Sequence, residues 1–322
     1  MLAVPSHGFI RPVDPRRDLL SIADLIELSF AHQMDDDGRD YLRHIRRAAR
    51  DTQYQRWVSG INEQVSVPLF GYVWEEDSQI VGNLSLIPFK HKSVWRYLIA
   101  NVATHPSYRG RGIARKLTQK GIFHARKQGA SAVWLQVRDD NPIAYQLYLN
   151  LGFQERARRT TWHQVESPPP LLPLEQMRVT GRRPYEWPVE TGWLQQVYPG
   201  DVAWNLNFSA ERYAPGLMRS LARFFNNERI EQWSVYRSGL LLGMAIWDAG
   251  MYNAETVWLA PNPECESLAL PALLTVLRRE VSTPRPLSIN YPAGRGNNAF
   301  QQTGFSPHNT LVWMEINFAN SH

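Results

Sequence analysis

Apolar and polar positions along the chain fall into blocks whose period shifts between two and nearly four residues. Gly8 to Val13 predicts a short first strand, which Asp14-Pro15 then punctuates. Leu19 to Phe30 has helical spacing at Leu20, Ile22, Leu25, Ile26 and Phe30. After the acidic patch Asp35-Asp36-Asp37-Gly38, a second helix is predicted from Asp40 to about Arg56. Its Arg43, Arg46, Arg47 and Arg50 lie at i, i+3, i+4 and i+7 on one face. Leu69 to Trp74 and Gln79 to Pro88 predict an antiparallel hairpin around the charged turn Glu75-Glu76-Asp77-Ser78. Tyr97 to Ala103 is short, uncharged and partly β-branched, so it reads as a buried strand. A Pro-bearing turn and two glycines between arginines follow. Then comes a helical pattern in which Ile113, Leu117, Ile122 and Phe123 can share a face. Ala130 to Val137 predicts a strand, Pro142 to about Asn150 a helix ending near Gly152, and Phe153 with Arg159 to Gln164 the closing strands.

The later half repeats this pattern in weaker form. Trp233 to Tyr236 and Leu240 to Trp247 flank Arg-Ser-Gly as a second hairpin. Val257 to Ala260 and Pro261-Asn-Pro263 precede a helical stretch through Leu277. Pro286 to Tyr291 is a strand candidate, and Asn297 to Phe305 ends in the same Gly-Phe pair that closes the first pattern. Between the halves lies Ser-Pro-Pro-Pro-Leu-Leu-Pro-Leu, a tract that continues neither sheet nor helix and reads as a semi-rigid spacer. The expected division is residues 1–164, a linker at 165–174, and 175–322.

Composition agrees with two packed domains. The chain has 322 residues, 43 % of them apolar, with 12 Trp, 13 Tyr and 12 Phe, which excludes a disordered chain. Its one cysteine, Cys265, excludes an internal disulfide framework and fits a reducing compartment. No run reaches the length of a membrane span, and the start MLAVPSHGFIRPVD lacks the pattern of a signal peptide. A soluble, cytoplasmic monomer or homodimer without membrane partners is expected. A net charge of +5 suits an acidic ligand but lacks the concentrated basic face that nucleic acid demands, so no nucleic-acid partner is expected.

The candidate chemistry begins at Arg109-Gly-Arg-Gly-Ile-Ala114. A strand, a glycine-rich turn and a helix N-terminus together make an anion site, because the glycines let backbone N–H groups converge and the helix end adds partial positive charge. The second block, Asn141-Pro-Ile-Ala-Tyr-Gln-Leu-Tyr-Leu-Asn-Leu-Gly-Phe153, gives that site a family. Arg109, Gly112 and Ala114 match R/Q-x-x-G-x-G/A. Asn141, Ala144, Leu147, Tyr148, Gly152 and Phe153 match a strand-ending Asn, A-x-x-L-Y and a closing G-F. The first half of the chain thereby resembles the GNAT superfamily of acyl-CoA N-acyltransferases.

That resemblance implies an α/β fold, here two tandem GNAT-like domains, each a mixed, mostly antiparallel sheet flanked by helices. It also implies acetyl-CoA as cosubstrate, no metal, and direct transfer of an acetyl group to a primary amine on a small molecule or protein N-terminus. Val102, Ala103 and Thr104 would offer backbone groups to the pantetheine arm and polarise the acyl carbonyl. Arg109, Gly110, Arg111, Gly112, Ile113 and Ala114 would carry the diphosphate, and Asn141 would contact the coenzyme from the next loop. Tyr148, with an ordinary pKa near 10, would act as general acid toward the departing thiolate. The base is open. The stretch around Asn141 is similar to that of ribosomal-protein N-terminal acetyltransferases, which carry Glu where this chain has Gln136. Asp139, Asp140, His105 or a water relay are the alternatives.

Aligning Gly304-Phe305 with Gly152-Phe153 and Pro263 with Pro106 places Glu266 on Arg109, Ala269 on Gly112 and Pro271 on Ala114. It also places Ala293 on Asn141 and Phe300 on Tyr148. A carboxylate about 5 Å from a phosphate charge costs roughly 3 kcal/mol at an effective dielectric near 20. The second copy is therefore expected to be degenerate, with no coenzyme bound through this loop. A non-catalytic acyl-CoA sensor or interaction protein is the competing expectation.

Overall fold

The computed structural model describes residues 8–51, 70–91, 93–206, 208–216, 229–249 and 255–318. The chain divides into two compact units, Met1–Arg156 together with Trp313–His322, and Ala157–Val312.

The first unit opens with β1 (Phe9–Pro12), which pairs antiparallel with β2 (Gly71–Glu76). Helix α1 (Pro15–Phe30) starts where Asp14 accepts from the Arg16 N–H and Pro15 fills the first turn. Its buried apolar residues are Leu19, Ile22, Ala23, Leu25 and Ile26, whereas Leu20 is 44 % exposed. Helix α2 (Asp36–Arg50) is capped by Asp35, whose carboxylate accepts from the Gly38 N–H at 2.8 Å. The acidic patch is thus in part a helix cap. The predicted extension of this helix beyond Asp51 lies outside the described residues. The arginine face is an ion-paired seam: Arg46 reaches Asp24 and Glu27 of α1, and Arg43 pairs with Asp40.

Strand β2 turns into β3 (Gln79–His91) through Asp77 and Ser78, both at positive φ. Such a two-residue turn matches the right-handed twist of the flanking strands. Strand β4 (Val94–Thr104) pairs antiparallel with β3 and parallel with β5 (Ala132–Arg138). The 15-residue helix α3 (Ile113–Lys127) crosses over between β4 and β5, and α4 (Pro142–Leu149) follows β5. The buried side of α3 holds Ile113, Leu117, Gly121 and Ala125. Phe123, expected on that face, is 61 % exposed. The reason is helical angle: at about 100° per residue Phe123 points away from the buried row, where a Cβ on Gly121 would lie 3.2 Å from Leu84 and 3.3 Å from Ile99. The strand order in this unit is β1-β2-β3-β4-β5, followed by the Trp313–Asn317 end of β12 (Phe305–Asn317).

The second unit repeats the plan with β6 (Gln154–Gln164), β7 (Met177–Gly181), α5 (Trp187–Val197), β8 (Ile230–Arg237), β9 (Leu240–Asp248), β10 (Glu255–Pro261), α6 (Glu266–Glu280), β11 (Leu287–Pro292) and α7 (Asn297–Gln302). From Arg159 onward β6 pairs antiparallel with β11, so its sheet runs β6-β11-β10-β9-β8-β7. Residues 165–174 form no regular element, yet they are tied down. Val165 N–H donates to the Gly304 carbonyl at 3.0 Å and Arg278 donates to the Pro169 carbonyl at 2.7 Å.

Each unit holds its first helix with an arginine paired to a buried carboxylate, from β1 in the first and from the residue after β7 in the second. In the first, Arg11 holds Asp18, which is 2 % exposed. In the second, Arg182 lies 3.8 Å from Glu190, which is fully buried. The spacing of these residues repeats only loosely, so this shared clasp emerges from the fold rather than from any motif.

Candidate functional site

The site is built where the parallel strands part. β4 and β5 pair from Arg96↔Ala132 to Ile99↔Leu135. Beyond that point β4 runs on to Thr104 and β5 to Arg138 with no further pairing between them. Val102, Ala103 and Thr104 occupy this unpaired edge. Ala103 is buried in the first unit's core, and the Thr104 hydroxyl is buried with no hydrogen-bond partner among the described residues. A buried hydroxyl left without a partner is costly.

A 3₁₀ turn, Pro106–Tyr108, leads from β4 into the loop. Gly110 and Gly112 both adopt left-handed conformations, at φ 80° and 77°. A Cβ added at either would meet nothing within 4 Å, so the space above both glycines is open. Gly112 is the N-cap of α3 and supplies no side-chain acceptor, and the first turn contains no acidic residue. The first N–H groups of a helix have no partner within the helix, and the dipole concentrates positive potential there. Arg111 lies over the Tyr108 ring at 4.7 Å and pairs with Glu76 at 3.1 Å, while Arg109 is exposed. Ile113 is buried, Ala114 is half-buried, and the two face opposite demands: one seals the helix to the sheet, the other borders the open loop. A polyphosphate therefore fits this cradle in charge, in donor supply and in space.

Asn141 caps α4, with its carbonyl oxygen accepting from the Ala144 N–H at 3.1 Å. This local role commits the oxygen of its amide. Tyr148 is buried, 6 % exposed, and meets Phe153 edge to face at 5.9 Å. Burial pushes its hydroxyl well above the ordinary phenol range, so it remains a proton donor throughout neutral pH. Tyr145, one turn earlier, is instead engaged with Glu155 at 2.9 Å.

The base candidates are less well placed. Asp140 is gripped by Arg138 at 2.7 Å, and that hydrogen bond holds its carboxyl below the ordinary range. His105 uses Nδ1 to accept from the Ser107 N–H at 3.3 Å. One feature escaped the sequence reading altogether: Asn101, in the middle of β4, has φ 52°. Nothing in a strand-forming run announces such a residue beyond the tolerance of Asn for that conformation.

The second unit presents the same parting of strands without the cradle. β10 and β11 pair in parallel from Glu255↔Leu287 to Val257↔Ile289. A 3₁₀ turn, Pro263–Cys265, follows, but α6 begins at once with Glu266. The aligned positions Ala269 and Pro271 are thus helical. The expectation that the second copy keeps this loop with unsuitable residues needs correction, because here the loop is gone. Glu266 accepts from the Tyr291 hydroxyl and from Arg295, each at 2.6 Å. Leu259 precedes Pro263 as Val102 precedes Pro106, and its N–H donates to the buried Tyr198 hydroxyl at 3.1 Å. Arg159, almost fully buried, donates to Asn290 and to the Val197 carbonyl, and burial pushes it down to about 10. Phe300, aligned with Tyr148, is stacked on Trp162 at 4.6 Å.

Residues 32–153 match the acetyltransferase (GNAT) family, and this span contains the whole cradle and Tyr148. The chain therefore carries a GNAT-family acetyltransferase domain. It is 29 % identical over 108 residues to the N-alpha-acetyltransferase RimI of Mycobacterium tuberculosis, covering 33 % of this chain and 66 % of that protein. It is 32 % identical over 155 residues to the mycothiol acetyltransferase of Renibacterium salmoninarum, covering 47 % of this chain and 42 % of that one. The chain thus spans less than two-thirds of the length of either relative. A GCN5-related N-acetyltransferase structure from Sphaerobacter thermophilus superimposes with a TM-score of 0.58 at 15 % identity, covering 98 % of this chain and 97 % of that one. The GNAT-like fold therefore extends through both units. Among the described residues, no helix is long and apolar enough to cross a membrane, and no group of three or more His, Cys, Asp or Glu could hold a metal ion.

Proposed function

We propose that the first unit is a cytoplasmic N-acetyltransferase that moves an acetyl group from acetyl-CoA directly to a primary amine. The observation that carries this reading is the open cradle of Gly110 and Gly112 at an uncapped helix N-terminus, beside strands that part after Ile99 and Leu135. When bound there, acetyl-CoA supplies an acyl group activated by a good leaving thiol. Backbone N–H groups from Arg109 to Ala114 hold its phosphates, with Arg109 and Arg111 adding charge. Val102 to Thr104 line the acyl arm, and a backbone N–H on this edge stabilises negative charge on the acyl oxygen. Asn141 offers its amide NH2. Tyr148 keeps its proton at neutral pH and delivers it to the departing sulfur.

The acceptor follows from the base. With Gln136 on β5, Asp139 exposed to solvent, and Asp140 and His105 both engaged, the site favours an amine that is already neutral. At pH 7 an α-amine of pKa near 7.8 is about 14 % neutral, against about 0.04 % for a lysine-like amine near 10.4. The acceptor is therefore an α-amine or a weakly basic amine, on a small molecule or a protein N-terminus. The relative named an N-alpha-acetyltransferase is consistent with that class. The test is acetyl-CoA turnover with a panel of α-amines and lysine-like amines. A much higher kcat/KM for α-amines is expected, and the reverse order would sink this assignment. The depth of Tyr148 favours a second reading, an acyl-CoA sensor without turnover. Binding with no turnover on any amine would select it.

A further inference from the structure

The net charge of +5 averages over two unlike parts of the chain. From Ser78 to Arg138 there are eleven Lys or Arg and no Asp or Glu, which leaves 24 basic side chains against 30 acidic ones elsewhere. Helix α3 is the centre of the basic stretch. Its Arg115, Lys116, Lys120, Arg126 and Lys127 are exposed, and it bears no acidic residue. Among the described residues none of these five pairs with a carboxylate, whereas Arg111 in the loop and Arg138 on β5 do.

Aromatic rings take the place of the missing carboxylates. Lys116 lies over Trp74 at 5.0 Å, Lys120 over Tyr72 at 5.4 Å and Phe123 at 5.8 Å, and Arg126 over Phe318 at 4.8 Å. Attraction to a ring face positions a cation without cancelling its charge. Trp95 lies two residues before Tyr97 on β4, and the Tyr97 ring meets His124 of α3, so Trp95 stands on the same side of the sheet. Lys90 lies over it at 4.8 Å. Phe123 is 61 % exposed and Trp95 48 %. The result is a positive face with two accessible rings set among its cations.

The coenzyme cradle does not account for this face. At a rise of about 1.5 Å per residue, Lys120 lies roughly 12 Å and Lys127 roughly 22 Å along the helix from Gly112. Nor is the arrangement general to the fold. In α6 of the second unit Arg279 pairs with Glu280 at 2.8 Å, and Arg278 donates to the Thr303 and Pro169 carbonyls. Net charge concealed the basic face, so it no longer speaks against a nucleic-acid partner.

We propose that the outer face of the C-terminal half of α3, with Lys90 and Trp95, is a docking surface for single-stranded nucleic acid. Phosphates sit on Lys90, Lys120, Arg126 and Lys127, and bases stack on Phe123 and Trp95. A membrane is the poorer fit, because the apolar side of α3 is sealed against the sheet and cannot enter a bilayer. An acidic peptide would meet the charge and leave both rings unused. This surface stands whether or not the acetyl-transfer reading does.

The experiment is fluorescence anisotropy with the full chain, using labelled oligo(U) and oligo(dT). It is run at about 50 and 200 mM salt, with and without saturating acetyl-CoA. Both strands are expected to bind, because backbone charge and stacking need no 2′-hydroxyl. With four phosphate contacts, affinity should fall about 50-fold between those salt levels. Lys120→Gln combined with Arg126→Gln removes two contacts and should cut that fall to about sevenfold. Phe123→Ala should weaken binding about tenfold at either salt level and leave the salt dependence unchanged. All three positions are exposed, so melting curves matching wild type are expected. Failure of both oligonucleotides to bind at the lower salt would overturn the proposal, as would equal affinity in wild type and the double variant. Polyglutamate or phosphatidylglycerol vesicles binding as tightly as the oligonucleotides would overturn it in favour of those partners. Displacement by acetyl-CoA would overturn it by assigning the face to the coenzyme.

Discussion

Residues 102–118 and 259–275 start from the same parts and end as opposites. Each follows a parallel strand pair that parts, each passes through a 3₁₀ turn opened by proline, and each enters a 15-residue helix. In the first, four residues with two left-handed glycines intervene, and the helix start is left without a side-chain acceptor. In the second, the helix begins immediately, and its first residue is Glu266, held by Tyr291 and Arg295. The β4 ladder steps by one residue in the first, whereas in the second the register is constant and the Leu259 N–H donates to Tyr198. The lesson is about satisfaction. The second unit keeps the fold, closes the open loop, and starts its helix with a carboxylate paired internally where the first has a bare left-handed glycine.

That contrast breaks most visibly at the aligned aromatic pair. Tyr148→Phe is expected to lower kcat by about 100-fold or more, the range of a lost general acid, with KM for acetyl-CoA little changed. Phe300→Tyr, the reverse exchange in the second unit, should create no activity in that background. Steady-state kinetics on the single and double variants checks both. Equal rates for wild type and Tyr148→Phe would remove Tyr148 from the mechanism.

A smaller effect is expected at the loop. Gly112→Val meets no steric neighbour within 4 Å, so its cost is that of forcing a β-branched residue into φ 77°. A strain of about 2 kcal/mol corresponds to roughly 30-fold weaker acetyl-CoA binding. Ala269→Gly in the second unit should add no binding, because that position lies inside a helix. Calorimetry on the two variants separates a lost loop from a merely crowded one.

The two clasps should differ in the sign of their response to acid, the smallest of these effects. Burial alone would raise the Asp18 carboxyl, but hydrogen bonds from Arg11, the Asp14 N–H and Arg17 outweigh it and hold the carboxyl below the ordinary range. Its contribution is present above the ordinary carboxylate pKa and is lost as pH falls through the lowered value. Burial raises Glu190, and the Ser234 bond and Arg182 only partly offset it. That contribution is complete below the ordinary pKa and is lost as pH rises through the raised value. Hydrogen exchange of α1 and α5 amides between pH 6 and 3 should show α1 protection falling. The α5 amides should hold or gain protection, once intrinsic exchange rates are removed.

Much of this was legible from residue order. Turn chemistry and hydrophobic period predicted the β-α-α-β-β-β-α-β-α-β order of the first half. The two glycines between arginines marked the cradle because few residues accept positive φ. What stayed hidden depends on contacts distant in sequence. Asn101 looks like any polar residue in a strand until Tyr41 and Ser85 are brought to it. Tyr198 and Arg295 give no hint that they will meet Leu259 and Glu266. The alignment of Ala269 with Gly112 was blind to where the helix starts, since helical spacing downstream is the same either way. The last strand gave no sign that Trp313–His322 would count with the first unit.

The central claim is that one of these two clefts takes the coenzyme and the other does not. Isothermal titration of the full chain with acetyl-CoA tests it most directly. The account predicts one equivalent bound per chain, lowered in affinity by Gly112→Val and unaffected by Glu266→Gln. Two sites of comparable affinity, or binding that survives disruption of the first loop, would contradict it.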